Sequence, residues 1–86
     1  MYRISFKSSF IRKFNKSEKD LEEEILDKIA LLKNKTNHQK LKVHRLHGRL
    51  SGKWSFSVNY KIRIVFKFIS KEEIVLLAIG DHAIYR

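Results

Sequence analysis

The side chains in this chain that could do chemistry are histidines, tyrosines and cations. His44 and His47 are three residues apart, but two imidazoles without a carboxylate or thiol make a weak metal site. The sequence contains no Walker loop, dinucleotide fingerprint, zinc pattern or nucleophile elbow. A base, a cation and a proton donor are nevertheless enough to cleave RNA without a metal, because the ribose supplies its own nucleophile. These residue types are therefore compatible with phosphodiester cleavage that needs no metal and no cofactor.

The charge distribution indicates a polyanionic partner. The chain carries a formal net charge of +10, and six of its nine acids lie between Glu18 and Asp27. No acid occurs from Lys28 to Lys71, an interval that is rich in lysine and arginine. Such asymmetry is typical of proteins that bind nucleic acid or ribonucleoprotein. An acidic protein partner could use the same field, and a generally lysine-rich surface is the alternative.

The composition predicts one domain, residues 1–86, that folds by packing alone. The chain has no cysteine, so disulfides and thiolate metal sites are excluded, and 43% of its residues are hydrophobic. No long apolar run follows the N-terminal charges, and no segment approaches the roughly 20 apolar residues that span a bilayer. We therefore expect a soluble cytoplasmic protein with no membrane partner.

The segment 54–68 has the clearest strand pattern and is expected to position the candidate groups. Trp54, Phe56 and Val58 alternate with Ser55 and Ser57, which predicts a strand with one apolar and one polar face. A second strand divides in the same way into an apolar set, Tyr60, Ile62, Ile64, Phe66 and Phe68, and an opposite set, Lys61, Arg63, Val65 and Lys67. The pair therefore predicts a sheet that presents cations and hydroxyls on the side away from its core.

The preceding residues predict a strand and two helices. Alternation indicates a strand over residues 2–7, and Ser8 and Ser9 are expected to cap a short helix over residues 10–14. A longer helix is expected to begin near Ser17, whose hydroxyl could accept a hydrogen bond from the amide three positions on. Apolar residues at helical spacing form its predicted inner stripe: Leu21, Ile25, Ile29 and Leu32.

The last strand and the element order define the fold class. Residues 73–79 are almost continuously apolar, which predicts a strand that is covered on both faces. The basic segment 41–52, with Gly48 and Gly52, is expected to turn toward the sheet. We therefore predict an α+β fold: an N-terminal strand, two helices, then an antiparallel β-meander forming one sheet with the helices packed on one face.

Three segments carry a resemblance to a known family. Residues 46–58 resemble the strand that approaches the central hairpin in the RelE/ParE toxin superfamily of type II toxin–antitoxin systems. Residues 60–66 resemble the central strand of that superfamily, and residues 77–85 resemble its closing segment. Element order and length are also similar, so the resemblance spans essentially the whole chain. The histidine near the C-terminus is closer to the RNA-cleaving YafQ-like and RelE-like branch than to the gyrase-poisoning ParE branch.

The resemblance implies a toxin that cleaves mRNA in the ribosomal A site and is held by a cognate antitoxin protein. It assigns Arg63 to phosphate stabilisation and His82 to catalysis as acid or base. Tyr85 matches the family's C-terminal aromatic residue, and His44 matches a histidine that precedes the glycine-bearing turn. Where YafQ-like members have a further His and Asp, this chain has Ser57 and Lys61, so the identity of the general base is open between the histidines, with His44 preferred.

The remaining cations are expected to bind the RNA backbone rather than to act in catalysis. The predicted RNA-binding set consists of these cations and one histidine: Lys53, Lys61, Lys67, Arg45, Arg49 and His47. Two other functions stay open at the level of sequence. One is a ParE-like inhibitor of DNA gyrase, and the other is a non-catalytic nucleic-acid-binding protein with the toxin fold.

Overall fold

The computed structural model describes residues 1–85, without the side chain of His82. These residues form a five-stranded mixed sheet with two α-helices on one face. The main elements are β1 Arg3–Phe6, α1 Ser8–Asn15, α2 Lys19–Leu32, β2 His44–Arg45, β3 Trp54–Ser57, β4 Arg63–Phe68 and β5 Glu73–Gly80. Short 3₁₀ turns occupy Lys35–Asn37, Gly48–Leu50 and His82–Tyr85. In this part of the chain, no helix has the length and apolarity that crossing a bilayer would require.

The strands lie in the order β1-β5-β4-β3-β2, which confirms the α+β fold and its meander. Strands β3, β4 and β5 form the predicted antiparallel meander. The short strand β2, which was not predicted because it lies in the basic segment 41–52, adds to its edge by pairing antiparallel with β3. The sheet as a whole is nevertheless mixed, because β1 pairs with β5 in parallel. Two helices separate β1 from the meander, so no hairpin fixes its direction and the sequence pattern does not reveal it.

The core lies between the helices and one face of the sheet. Ile25, Ile29 and Leu32 of α2 are buried, which confirms the predicted inner stripe, and Phe10 of α1 joins them. They pack against buried residues that alternate along three strands: Phe56, Ile64, Phe66, Ile74, Leu76 and Ile79. Burying side chains of this size contributes about 1.5–3 kcal/mol each, so this layer supplies most of the driving force for folding.

The helix starts differ from the prediction. Helix α1 begins at Ser8 itself, because the amide of Lys7 still donates to the carbonyl of Leu76 at the sheet edge and the chain turns directly afterwards. Helix α2 begins at Lys19 with Glu18 as its N-cap and no side-chain cap bond. The hydroxyl of Ser17 instead donates to the carbonyl of Lys13, so it belongs to the end of α1.

Two strand predictions also need correction. Tyr60 was expected on the core face, but it is 91% exposed in the β3–β4 connection, and β4 begins only at Arg63. Strand β5 was expected to be covered on both faces, but Val75 and Ala78 are only partly buried, because both α-helices lie on one side of the sheet. Among the described residues, the C-terminal tail covers part of the second side.

Candidate nucleic-acid interface

Strand register brings three of the candidate residues, His44, Arg63 and Lys67, to the sheet face opposite the helices. Residues directly opposite one another in an antiparallel pair point to the same side. One such row is His44, Ser55, Val65 and Ala78, and the next is Ser57, Arg63 and Gly80. Alternation along β4 places Lys67 on this side too. We call these eight residues the open face.

The C-terminal tail, residues 81–85, crosses the open face. It turns immediately after β5, where Asp81 accepts hydrogen bonds from the amides of Ala83 and Ile84, and it packs against β4 and β5. The hydroxyls of Tyr85 and Ser55 lie 2.7 Å apart, so the tail reaches β3.

The tail explains why polar and small residues are buried on a face that carries no helix. Ser55 is fully buried, and Val65, its neighbour on β4, is 3% exposed. At Gly80, a Cβ would collide with the side chain of Ile84, so only glycine allows the tail to lie this close to the end of β5. The polar face that was predicted to be open is therefore partly closed at its centre.

Arg63 is held by the turn that precedes it. Its Nη1 donates to the carbonyl oxygens of Asn59, at 2.6 Å, and Ile62, at 3.3 Å. The side-chain oxygen of Asn59 accepts from the amides of Lys61 and Ile62, and its Nδ2 donates to the carboxylate of Glu24 on α2 at 2.7 Å. This network fixes the turn from both sides and restricts the guanidinium to the edge of the open face.

His44 is exposed on the edge strand β2, and its ring orientation is set by the backbone. Nδ1 lies 2.9 Å from the carbonyl oxygen of Lys42, a residue with a φ of 59°. A carbonyl oxygen only accepts hydrogen bonds, so Nδ1 carries the hydrogen and Nε2 of the neutral ring is left as an acceptor. His44 therefore has the tautomer that a general base needs.

The structure places Arg63, Tyr85, His44 and Lys67 on or against the open face. The side chain of His82 lies outside the described part of the chain, although its backbone begins the tail turn two residues after Gly80.

The other predicted RNA-binding residues lie outside the open face. Lys53 precedes β3, where the amide of Leu46 donates to its carbonyl, and Lys61 is exposed in the turn before Arg63. His47 and Arg49 are exposed in the connection that follows β2. Arg45 points to the opposite side of the sheet, with its guanidinium carbon 5.3 Å from the ring centre of Trp54.

Three residues of this region were not among the predicted site residues. Ser55 anchors the tail, and its position on the polar face was visible in the alternation of segment 54–68. Asn59 organises the turn, which a residue type common in turns could have suggested. Lys13 places its Nζ 3.7 Å from the position that a Cβ on Gly80 would occupy. No sequence signal links Lys13 to β5, because that proximity depends on how α1 packs.

The open face and the tail together present the guanidinium of Arg63, the ammonium of Lys67, the imidazole of His44 and the phenol of Tyr85. Across residues 1–85 with the His82 side chain set aside, no group of three or more His, Cys, Asp or Glu is placed to hold a metal ion. The arrangement suits an anion whose charge faces Arg63 or Lys67, on either side of the buried Val65.

The sequence matches no protein-family model and no curated protein. Solved structures are similar over nearly the whole chain. YafQ from E. coli has a TM-score of 0.78 at 15% identity, covering 98% of this chain and 97% of that one. The YoeB–YefM toxin–antitoxin heterotetramer from Staphylococcus aureus contains a chain with a TM-score of 0.73 at 16% identity, covering 95% and 98%.

A third similar structure is the toxin–antitoxin complex RelBE2 from Mycobacterium tuberculosis. Its TM-score is 0.72 at 14% identity, covering 94% of this chain and 98% of that one. The chain therefore has the fold of RelE/ParE-like toxins, which confirms the structural part of the sequence resemblance.

Proposed function

We propose that this chain is the toxin of a type II toxin–antitoxin pair and that it cleaves mRNA in the ribosomal A site. The proposal takes residues 1–86 as one toxin domain that acts in the cytoplasm without metal or cofactor. The observation that supports it is the combination of the toxin fold with a sheet face that carries Arg63, Lys67 and His44 and that the tail crosses.

In the proposed cleavage, each of these groups has one role. Nε2 of His44 takes the proton from a ribose 2′-hydroxyl, and the 2′-oxygen attacks the adjacent phosphorus. The guanidinium of Arg63 stabilises the negative charge of the phosphorane. His82 donates a proton to the departing 5′-oxygen, so that the products are a 2′,3′-cyclic phosphate and a free 5′-hydroxyl. Tyr85, on the C-terminal tail, helps to position the RNA strand.

The turn around Asn59 supports this role of Arg63. Because Nη1 is committed to backbone carbonyl oxygens, the guanidinium has little freedom to leave the open face. A cation that is already in place stabilises transition-state charge without the cost of reorganisation. Glu24 contributes at a distance by fixing the Asn59 side chain.

The surrounding cations would bind the RNA backbone. Lys67 on the open face, and Lys53, Lys61, Arg49 and His47 outside it, would contact the RNA without taking part in proton transfer. Each neutralised phosphate releases counterions, so binding is expected to weaken steeply with added salt. A cognate antitoxin would need enough acidic residues to cover the same field. The similar structures that contain an antitoxin chain support such a partner.

Induced expression without an antitoxin tests the proposal. The wild-type chain is expected to arrest growth, and Arg63→Ala or His82→Ala to relieve the arrest while the protein stays folded. Arg3→Ala is the matched control, because Arg3 is a strand arginine whose charge meets Glu72 and Glu73 at the far edge of the sheet. Full toxicity of both site variants would contradict the assignment. Cleaved DNA–gyrase complexes with intact mRNA would indicate the gyrase alternative.

A further inference from the structure

A second recognition surface lies on the helix side of the sheet, away from the open face. There, a cavity of about 600 Å³ opens between the loop after α2 and the ends of β3 and β4. Six of its lining residues carry rings, a charge or an amide: Tyr2, Lys35, His38, Gln39, Trp54 and Phe68. We call these six residues the ring pocket. Its volume falls within the range of about 300–1,000 Å³ that is common for small-ligand sites.

The rings of this pocket hold one another in place. Tyr2 stacks on His38 with ring centres 5.5 Å apart and planes 14° from parallel. Phe68 contacts Tyr2 at 5.6 Å and meets Trp54 edge-on at 5.2 Å. Nε2 of His38 lies 2.9 Å from the carbonyl oxygen of Leu32, which ties the ring to the end of α2. Rings that are positioned in advance lose little conformational entropy when a ligand binds.

All four rings are only partly buried, although rings of this size usually close a core. The ring pocket is therefore an aromatic surface that the chain builds and leaves accessible. Nucleobases are flat and stack on aromatic surfaces of this kind, and because every base has a flat face, such stacking has little preference for sequence.

The charges around the ring pocket favour an anionic ligand. Lys35 lines it, and Arg45 lies over Trp54. No acid occurs in the sequence from Lys28 to Lys71, the interval that contains every lining residue except Tyr2. A ligand that combines a planar ring with a phosphate matches both properties, whereas an acidic peptide matches only the charge.

We infer that the ring pocket binds a nucleobase of single-stranded RNA, with the neighbouring phosphate facing Lys35 and Arg45. This inference goes beyond the proposed cleavage, because the pocket lies on the opposite side of the sheet from Arg63 and takes no part in proton transfer. It gives the chain a second RNA contact that binds bases without reading a sequence.

The fluorescence of Trp54 tests the inference directly, because Trp54 is the sole tryptophan of the chain. Adenosine monophosphate and a short 2′-O-methyl oligoadenylate serve as probes, since the methylated ribose has no free nucleophile and stays intact. Both are expected to quench Trp54 in a saturable way. Quenching needs no cleavage, so the result is independent of whether the chain is a nuclease.

Two matched pairs of variants locate the binding. Tyr2→Leu removes a stacking ring and is expected to weaken the quenching constant by about tenfold, whereas Tyr60→Leu, which removes a ring exposed on the β3–β4 turn, leaves it unchanged. Lys35→Glu is expected to weaken oligoadenylate binding more than Lys19→Glu, which makes the same charge change about 20 Å away at the other end of α2. Lys35 and Lys19 are both exposed, so neither charge variant disturbs the core.

Three results would overturn the inference. The first is oligoadenylate binding, seen by anisotropy of a labelled strand, without any change in Trp54 fluorescence. The second is equal loss of quenching in Lys35→Glu and Lys19→Glu. The third is saturable quenching by an oligoglutamate peptide at the same concentration as the oligoadenylate, which would make the ring pocket a site for an acidic protein.

Discussion

On the helix side of the sheet, Phe56, Ile64 and Phe66 are buried beneath two α-helices, whereas on the open face Ser55 and Val65 are buried beneath one short tail. The helix side is held by a dozen buried apolar residues from five helices and strands and two of the connecting loops. The open face is held by a hydroxyl pair and by one side chain that sits on a glycine. A small shift in one contact of the helix-side core leaves many others in place. The position of the tail depends more strongly on each of its own contacts, the Ser55–Tyr85 hydroxyl pair and the packing of Ile84 on Gly80. A face built in this way can be rearranged without unfolding the protein.

The largest expected effect is on the helix side. Phe66→Ala removes a fully buried ring and is expected to lower the free energy of unfolding by about 3–5 kcal/mol. Val65→Ala, at the neighbouring residue on the open face, is expected to cost only about 1–2 kcal/mol, since the tail can settle into the space. Chemical denaturation of both variants measures the two values. Equal losses would mean that the tail packs as rigidly as the helices.

A smaller effect on the free energy of unfolding is expected from loss of the contact between the hydroxyls of Tyr85 and Ser55. Tyr85→Phe leaves the buried Ser55 hydroxyl without that partner, which is expected to cost about 1–3 kcal/mol. Adding Ser55→Ala removes the hydroxyl as well and is expected to recover part of the loss. Thermal unfolding of the single and double variants tests this coupling. Strictly additive losses in the double variant would show that the hydroxyl pair does not fasten the tail.

The smallest effect on stability, with a larger one on activity, is expected at Gly80. Gly80→Ala places a methyl group against Ile84, which displaces the tail and is expected to cost about 1 kcal/mol. If the tail carries His82 and Tyr85 to the substrate, RNA cleavage falls by more than stability does. Adding Ile84→Ala makes room for the methyl group and is expected to restore activity. Full activity of Gly80→Ala would show that RNA cleavage does not depend on the position of the tail.

The helix side was largely predictable because its pattern is periodic. The stripe Ile25, Ile29 and Leu32 and the alternation along segment 54–68 identify which residues face the core before any contact is known. The exceptions are local. Tyr60 continues the alternation in sequence, but the Asn59 turn delays β4 until Arg63, and side-chain hydrogen bonds of this kind leave no periodic signal.

The open face was predictable only in part. Alternation gave the side on which Ser55 and Arg63 lie, yet the burial of Val65 depends on where residues 81–85 return. The parallel pairing of β1 with β5 and the approach of Lys13 to Gly80 likewise depend on packing between distant segments. Contacts of this kind are set by the whole fold, and a local pattern carries no record of them.

The most direct test of the account is to map the 5′ ends of cellular mRNA by primer extension after induction. In-frame cuts are expected with the wild-type chain and with Arg3→Ala, and no such cuts with Arg63→Ala or His82→Ala. Cuts that persist in Arg63→Ala at the wild-type positions and intensity would contradict the claim that the open face is where the RNA is cleaved.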